Sequence, residues 1–169
     1  IYKFVSDAKW DPKDINGGYA AGDKYMNAGK LYVAKFNNDG TGQWIELAFG
    51  KNGLNQSNSV YPFSSPADAV GATKMDRPEW CAVNPENGEV YVTLTNNSNR
   101  GTSYPTDAAN PRNYEDKYAG TKTNKGNVNG HIIRLRETAD KTTAESFNWD
   151  IYLFGAEASG AANINLSGL

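Results

Sequence analysis

The sequence has few of the residues from which many familiar sites are built. One cysteine, Cys81, and one histidine, His131, occur in 169 residues. A single cysteine excludes an internal disulfide and a cysteine-based zinc cluster, and a single histidine is too little for a typical zinc or copper site. Any mechanism that needs two histidines is excluded as well.

Basic excess and long apolar runs are also missing. Seventeen Lys and Arg residues stand against nineteen Asp and Glu residues, which gives a net charge of −2. Without a basic stripe to neutralise phosphates, a nucleic-acid partner has no electrostatic support. No apolar run approaches the roughly 20 residues that cross a bilayer, so we expect no membrane partner.

The length predicts one domain with a real core. The chain opens directly in the strand-like IYKFVSD and stops at NINLSGL. We therefore expect a fragment of a longer protein, the alternative being a trimmed domain with frayed ends.

Most of the chain has the periodicity of β-strands, with short alternating segments rich in aromatic and β-branched residues. The turns NNDGTG and NPENGE are typical of hairpins, Asn87-Gly88 most strongly. Only the segment 64–76 is a candidate for a short helix. The predicted strands are YKFV (2–5), KLYVAKF (30–36), QWIELAF (43–49), EWCAVN (79–84), EVYVTLT (89–95), HIIRLRE (131–137) and FNWDIYLF (147–154).

The strand order predicts an all-β protein of antiparallel sheets. The last four strands would form one four-stranded β-propeller blade over 75–155, interrupted by a long insertion loop at 96–128. The first three strands, within 1–50, would be the end of a preceding blade. Residues 1–169 would thus be a single incomplete propeller segment of about one and a half blades, and a seven-stranded β-sandwich is the alternative.

Two charges lie at the mouth of the second hairpin, on either side of Pro78. In a blade the innermost strand begins at the central channel, so Arg77 and Glu79 would face a concave, partly desolvated space. A carboxylate there suits calcium, and the planar guanidinium of arginine suits phosphate. The alternative is an exposed Arg–Glu pair at a turn, which contributes little.

Other candidates are weaker. The amide oxygens of Asn96, Asn97 and Asn99 could add calcium ligands and Arg100 a second phosphate contact, and a plain polar loop is the alternative. Cys81 is expected in the core, and His131 is expected to be a satisfied strand-end residue. Three of the four tryptophans lie in predicted strands, so core packing explains them better than a sugar-binding platform.

The run MDRPEWCAVNPENGEVYVTLTNNSNR, followed by NGHIIRLRE and FNWDIYLF, closely resembles the bacterial PhoX-like alkaline phosphatases. The resemblance extends from YKFVSD and GKLYVAKFNNDGTGQWIEL to the last strand. It implies a much longer periplasmic or secreted propeller enzyme that hydrolyses phosphomonoesters at a cluster of calcium and iron. It also implies that Glu79 binds the metal cluster and that Arg77 contacts the phosphoryl group, while the family's iron-binding cysteine does not correspond to Cys81.

Two classes of function follow. In the first, the chain is part of a calcium-dependent phosphomonoesterase, brings only a subset of the metal ligands and is inactive alone. In the second, it is a non-catalytic propeller-like binding or structural module. In either case, exposed sheet edges predict a homodimer or higher oligomer.

Overall fold

The computed structural model describes residues 1–58, 64–118 and 122–156. It divides into two compact units. Unit 1 takes residues 1–35 and 44–72, and unit 2 takes residues 36–43 and those described from 73 onward. All seven predicted strands are present and their pairing is antiparallel, which confirms the predicted all-β fold class.

Unit 1 is built on the antiparallel pair of β1 (Tyr2–Ser6) and β2 (Gly29–Phe36). Between them, where no regular structure was predicted, lie a 3₁₀ turn (Pro12–Asn16) and helix α1 (Gly18–Met26). Alpha1 buries none of its residues, so it has no apolar stripe by which the sequence could reveal it. The predicted short helix forms at Ser64–Ala69 as α2. No described helix has the length and apolar character of a membrane span.

The larger antiparallel sheet of unit 2 is built from β3 (Thr41–Glu46), which belongs to this unit as far as Gln43, β4 (Pro78–Val83), β5 (Val90–Leu94), β8 (His131–Glu137) and β9 (Ser146–Phe154). Its strand order is β3-β9-β8-β5-β4. The meander of the last four strands is as predicted. The start of β3 adds a fifth strand, because Thr41 to Gln43 pair with Asn148 to Ser146. The division into two blades at 1–50 and 75–155 stays a prediction.

The core of unit 2 lies between its strands and the elements that cover them. Its buried apolar side chains come mainly from the three central strands β5, β8 and β9. Phe147 packs edge-on against Phe36 with ring centroids 5.2 Å apart. The buried residues of these strands are Val92, Leu94, Ile133, Leu135, Phe147 and Ile151.

The described part of the segment 96–128, which was predicted to be a loop, includes two strands. It contains a second, two-stranded sheet of β6 (Tyr114–Tyr118) and β7 (Lys122–Gly126). Tyr114 pairs with Gly126 and Lys117 with Thr123. The composition of these two strands is largely polar, and their sequences have no apolar alternation by which to find them.

The edge strand β4 departs from the prediction of a buried strand. All six of its residues are exposed, including Cys81, and Trp80 is 75% exposed. Among the described residues β4 pairs only with β5. Core packing was therefore the wrong prediction for Cys81 and Trp80 in this chain, although it was right for Trp44, which is buried.

Substituting Gly42 by Ala should destabilise unit 2. An added Cβ would lie 2.1 Å from the ring of Phe147, directly opposite in the β3–β9 register. Overpacking of this kind costs roughly 1–3 kcal/mol, which urea denaturation measures. Gly22→Ala is the control, because nothing lies within 4 Å of its added Cβ. Equal stability of the two variants would contradict the packing described for Phe147.

Candidate functional site

Arg77 occupies a strained backbone position at the mouth of the β4–β5 hairpin. Its φ is +46°, a left-handed conformation that costs a non-glycine residue roughly 1–2 kcal/mol. Its N–H donates to the carbonyl of Met75 at 3.0 Å, and its own carbonyl accepts from the N–H of Thr95 at 3.2 Å. The surrounding backbone therefore fixes a conformation that arginine would not choose.

The guanidinium of Arg77 is exposed and is not paired with a carboxylate among the described residues. Its Nη1 donates to Asn96 Oδ1 at 3.1 Å and to the Asn96 carbonyl at 3.4 Å. Within the same described part of the chain, its Nε and Nη2 have no hydrogen-bond partner. The turn-type ion pair between Arg77 and Glu79 that was the alternative is not formed. Two donors remain available to an anion.

Glu79 lies at a β-bulge. Pro78 pairs with Leu94 and Trp80 with Thr93, so Glu79 is the extra residue that opposes no partner on β5. Bulges near active sites redirect a side chain. Glu79 is exposed, and it makes no hydrogen bond or ion pair with any residue that the structure describes. Its carboxylate is free to bind a cation.

Directly before Arg77, Asp76 is fully buried and paired with Arg100. The Nε of Arg100 donates to Asp76 Oδ1 at 2.9 Å, and the two residues are 0% and 2% exposed. Arg100 Nη2 donates to the carbonyl of Lys74 at 2.8 Å, and Nη1 donates to that of Pro105. Removing one member of such a pair costs about 3–5 kcal/mol, since the other is left buried and unpaired.

Three asparagines complete the environment of Asp76. Asn97 Nδ2 donates to Oδ1 at 2.7 Å and Asn127 Nδ2 donates to Oδ2 at 3.0 Å, while the N–H of Asp76 donates to Asn110 Oδ1 at 2.9 Å. Every described buried side-chain polar atom has a partner. The residues Asp76, Asn97, Arg100, Asn110, Asn127 and His131 are hereafter the polar cluster.

Two glycines allow this approach of chain segments. Gly126 and Gly130 have φ of +85° and +71°. A Cβ on Gly126 would lie 2.3 Å from the carbonyl oxygen of Asn97, and one on Gly130 would lie 2.2 Å from that of Leu94. Only glycine combines this conformation with this closeness. The turn that carries Asn127 can therefore pack against the end of β5.

His131 closes the polar cluster on the side of β8. Its Nε2 lies 2.7 Å from the carbonyl of Ala109, and its Nδ1 lies 3.0 Å from Asn127 Nδ2. Since a carbonyl only accepts and the amide Nδ2 only donates, the ring is neutral with its proton on Nε2. Burial is the main cause that lowers the pKa of His131. The expectation of a satisfied strand-end histidine agrees with these contacts.

The structure brings together only part of the predicted site. Arg77 and Asn96 are in contact, Glu79 lies next to them along the strand without a bond to either, and Arg100 is turned inward to Asp76. The roles in metal and phosphate binding stay predictions. Sequence analysis did not identify Asp76, Asn110 or Asn127 as site residues. The available signal was the accumulation of Asp and Asn at strand ends, which is also typical of ordinary turns.

Comparison with known proteins identifies the family of this chain. The family model described as alkaline phosphatase PhoX matches residues 1–167. The chain belongs to the PhoX alkaline phosphatase family. The structure of Pseudomonas fluorescens PhoX in complex with vanadate, a transition state analogue, is 36% identical and superposes with a TM-score of 0.75. None of the curated proteins matches the chain.

The similarity to the Pseudomonas fluorescens PhoX covers 96% of this chain and 28% of that chain. This chain therefore corresponds to a little over a quarter of the length of that phosphatase. Among the described residues, no group of three or more His, Cys, Asp or Glu side chains could hold a metal ion.

The stability of the chain should fall as the pH drops below about 6.5, the ordinary pKa of histidine. Because burial lowers the pKa of His131 in the folded state, the unfolded chain binds this proton more readily, and the contribution of neutral His131 is present above that pH and lost below it. Urea denaturation between about pH 7.5 and pH 5.5 measures this dependence.

The matched variant for this measurement is His131→Gln, which cannot titrate. It should flatten the pH dependence above the range in which carboxylates titrate. An equally steep fall in the variant would show that His131 is not its cause.

Proposed function

We propose that this chain is a segment of a calcium-dependent phosphomonoesterase of the PhoX family. It contributes part of a metal and phosphate site and is inactive alone. The observation that carries the proposal is the contrast between two neighbouring arginines: Arg100 is buried and paired with a carboxylate, whereas Arg77 is exposed and is not. An arginine that binds substrate needs unpaired donors, and Arg77 has them.

Arg77 is the residue that we assign to the phosphoryl group. Its Nε and Nη2 form the side of the guanidinium that can donate two parallel hydrogen bonds to phosphate oxygens. The contact of Nη1 with Asn96 limits rotation of the planar group. Donors fixed before the reaction stabilise charge that develops on the transferring phosphoryl group. The vanadate in the structure of the Pseudomonas fluorescens relative supports this choice of ligand class.

Glu79 is the residue that we assign to calcium. Its carboxylate is exposed and has no partner among the described residues, and carboxylate oxygen is a preferred calcium ligand. Asn96 suits the same ion less well, because its amide oxygen already accepts a hydrogen bond from the guanidinium of Arg77. We retain it as a calcium ligand through the second lone pair of this oxygen. Bound calcium would polarise phosphoryl oxygens. Iron, which the family resemblance implies, has no assigned ligand here.

Arg100 takes a different place in the proposal from the one its sequence position suggested. Its described donors already serve Asp76, Lys74 and Pro105. A phosphate contact would require breaking a buried ion pair, so we treat this role as the weakest of the predicted contacts. Its structural role in the polar cluster is the stronger assignment.

The remaining features of the proposal concern the parent enzyme. We propose a phosphomonoester substrate and a periplasmic or secreted location, both by family resemblance. For this chain by itself, the exposed edge strand β4 supports the expectation of a homodimer or higher oligomer. Sedimentation at micromolar concentration tests it, and a monomer would count against it.

The chain alone should show negligible phosphatase activity, and a hybrid should show turnover. In the hybrid, this chain replaces the matching segment of Pseudomonas fluorescens PhoX, and hydrolysis of p-nitrophenyl phosphate is the assay. Arg77→Gln should lower kcat about 10²–10³-fold, as loss of one donor to a developing charge does. The control is Arg136→Gln, an exposed arginine whose partner is Asp140.

Two results would contradict this prediction. A hybrid that is folded by circular dichroism but inactive would contradict the phosphatase function and favour a structural module. Turnover by the chain alone at the rate of a full-length relative would contradict the partial site.

Calcium binding by the metal-stripped hybrid should depend on Glu79. Glu79→Gln keeps the size of the side chain but removes its charge, so the calcium affinity measured by calorimetric titration should fall or binding should vanish. Glu86→Gln, at the opposite end of the hairpin and equally exposed, is the control. Unchanged calcium affinity in Glu79→Gln would remove this residue from the ligand set.

A further inference from the structure

We infer that Asp76 is a positioning residue for Arg77, an inference that rests on the proposed role of Arg77 at the phosphoryl group. The polar cluster holds the chain immediately before Arg77 so that its backbone takes the left-handed conformation and its guanidinium faces outward. Arg100, Asn97 and Asn127 act through Asp76, and none of them needs to touch the substrate.

Hydrogen bonds from several parts of the chain converge on Asp76. Its two carboxylate oxygens accept from Asn97, Arg100 and Asn127 at 2.7 to 3.0 Å, and its N–H donates to Asn110 at 2.9 Å. These partners come from three different places in the chain: the end of β5, the segment before β6 and the turn before β8. A side chain bonded from three directions cannot shift without breaking at least one bond.

The polar cluster also holds the backbone before Asp76. The carbonyl of Lys74 accepts from Arg100 Nη2 at 2.8 Å and from Asn110 Nδ2 at 3.1 Å. The segment from Lys74 to Asp76 is thus bonded at both of its ends. Its direction on entering Arg77 is set by the polar cluster.

The backbone of Arg77, which follows this anchored segment, is left-handed. Arg77 has φ of +46° and is followed by Pro78, and a residue before proline favours extended conformations. The local sequence therefore opposes the observed backbone, and the bonds on both sides have to impose it. On the far side, the Arg77 carbonyl accepts from Thr95 at 3.2 Å. On the near side, the Arg77 N–H donates to the Met75 carbonyl at 3.0 Å, and the polar cluster anchors the segment from Lys74 to Asp76 that carries this carbonyl.

The polar character of the cluster suits it to orienting a neighbouring residue. A buried ion pair is a poor way to gain stability, because apolar residues of the same volume often serve as well or better. A fully bonded polar network does define one geometry, since each donor has one place to go. That property is useful where the next residue must be aimed, and Arg77 is that residue.

The test measures the backbone of Arg77 directly, by the one-bond Cα–Hα coupling and Cα shift in the isotopically labelled chain, both of which report positive φ. Asp76→Asn keeps the volume but replaces one acceptor by a donor that faces other donors. It should abolish the positive-φ signature of Arg77. Asp150→Asn, which breaks the Arg134–Asp150 pair in the same unit, should leave that signature intact.

In the hybrid phosphatase, Asp76→Asn should weaken inhibition by vanadate about tenfold or more, as misplacement of a positioning group does. Asn97→Ser removes a single donor to Asp76 at a half-buried position. Asn97→Ser should shift the positive-φ signature of Arg77 partly. If Asp76→Asn fails to fold, this variant tests the positioning role instead.

The outcomes separate this inference from the proposed function. A positive-φ signature unchanged in the folded variants overturns the positioning role, whatever the activity of the hybrid. Loss of the signature in folded Asp76→Asn but not in Asp150→Asn supports the positioning role, whatever the activity of the hybrid. An inactive unsubstituted hybrid would contradict only the proposed phosphatase function.

Discussion

The ion pair between Asp76 and Arg100 is the contact around which the hairpin mouth is organised. Both side chains are buried, so neither can be lost without leaving a charge in the interior. Through it, the end of β5, the segment before β6 and the turn before β8 are held against the entry to β4. The conformation of Arg77 and the bulge at Glu79 follow directly in the chain. The exposed features of the site thus depend on a contact that is itself inaccessible.

The strands of this fold could be predicted from sequence because each carries its own signal. HIIRLRE alternates apolar and polar residues, and the observed strand coincides with it at His131–Glu137. The paired strands β6 and β7 could not be predicted in this way, because they lack the apolar alternation of a half-buried strand and are recognised only by their pairing with each other. Helix α1 was missed for a similar reason, since it buries no residue.

The site was predictable only at its surface. Arg77 and Glu79 stand out as charges beside a proline at a strand start, which is a local pattern. Asp76 lies 24 residues from Arg100 and 51 residues from Asn127 in the sequence. The polar cluster therefore exists only in the folded chain. Asp76 precedes Arg77 and Pro78, where an aspartate is typical of a turn. Its complete burial is a tertiary fact, and the exposure of Cys81 on an edge strand is another.

The division of labour between the two arginines bears on what a segment of a larger enzyme can carry. A metal centre assembled from several parts of a chain cannot be complete in any one of them, and the described residues hold no cluster of three ligands. Orientation is different, because every bond that holds Asp76 and the backbone of Arg77 lies within unit 2. The conformation of Arg77, which we propose contacts phosphate, can therefore be set by residues of unit 2 alone. A segment built in this way would bring its arginine already oriented to a site that other residues complete, which lowers the ordering cost of the active arrangement.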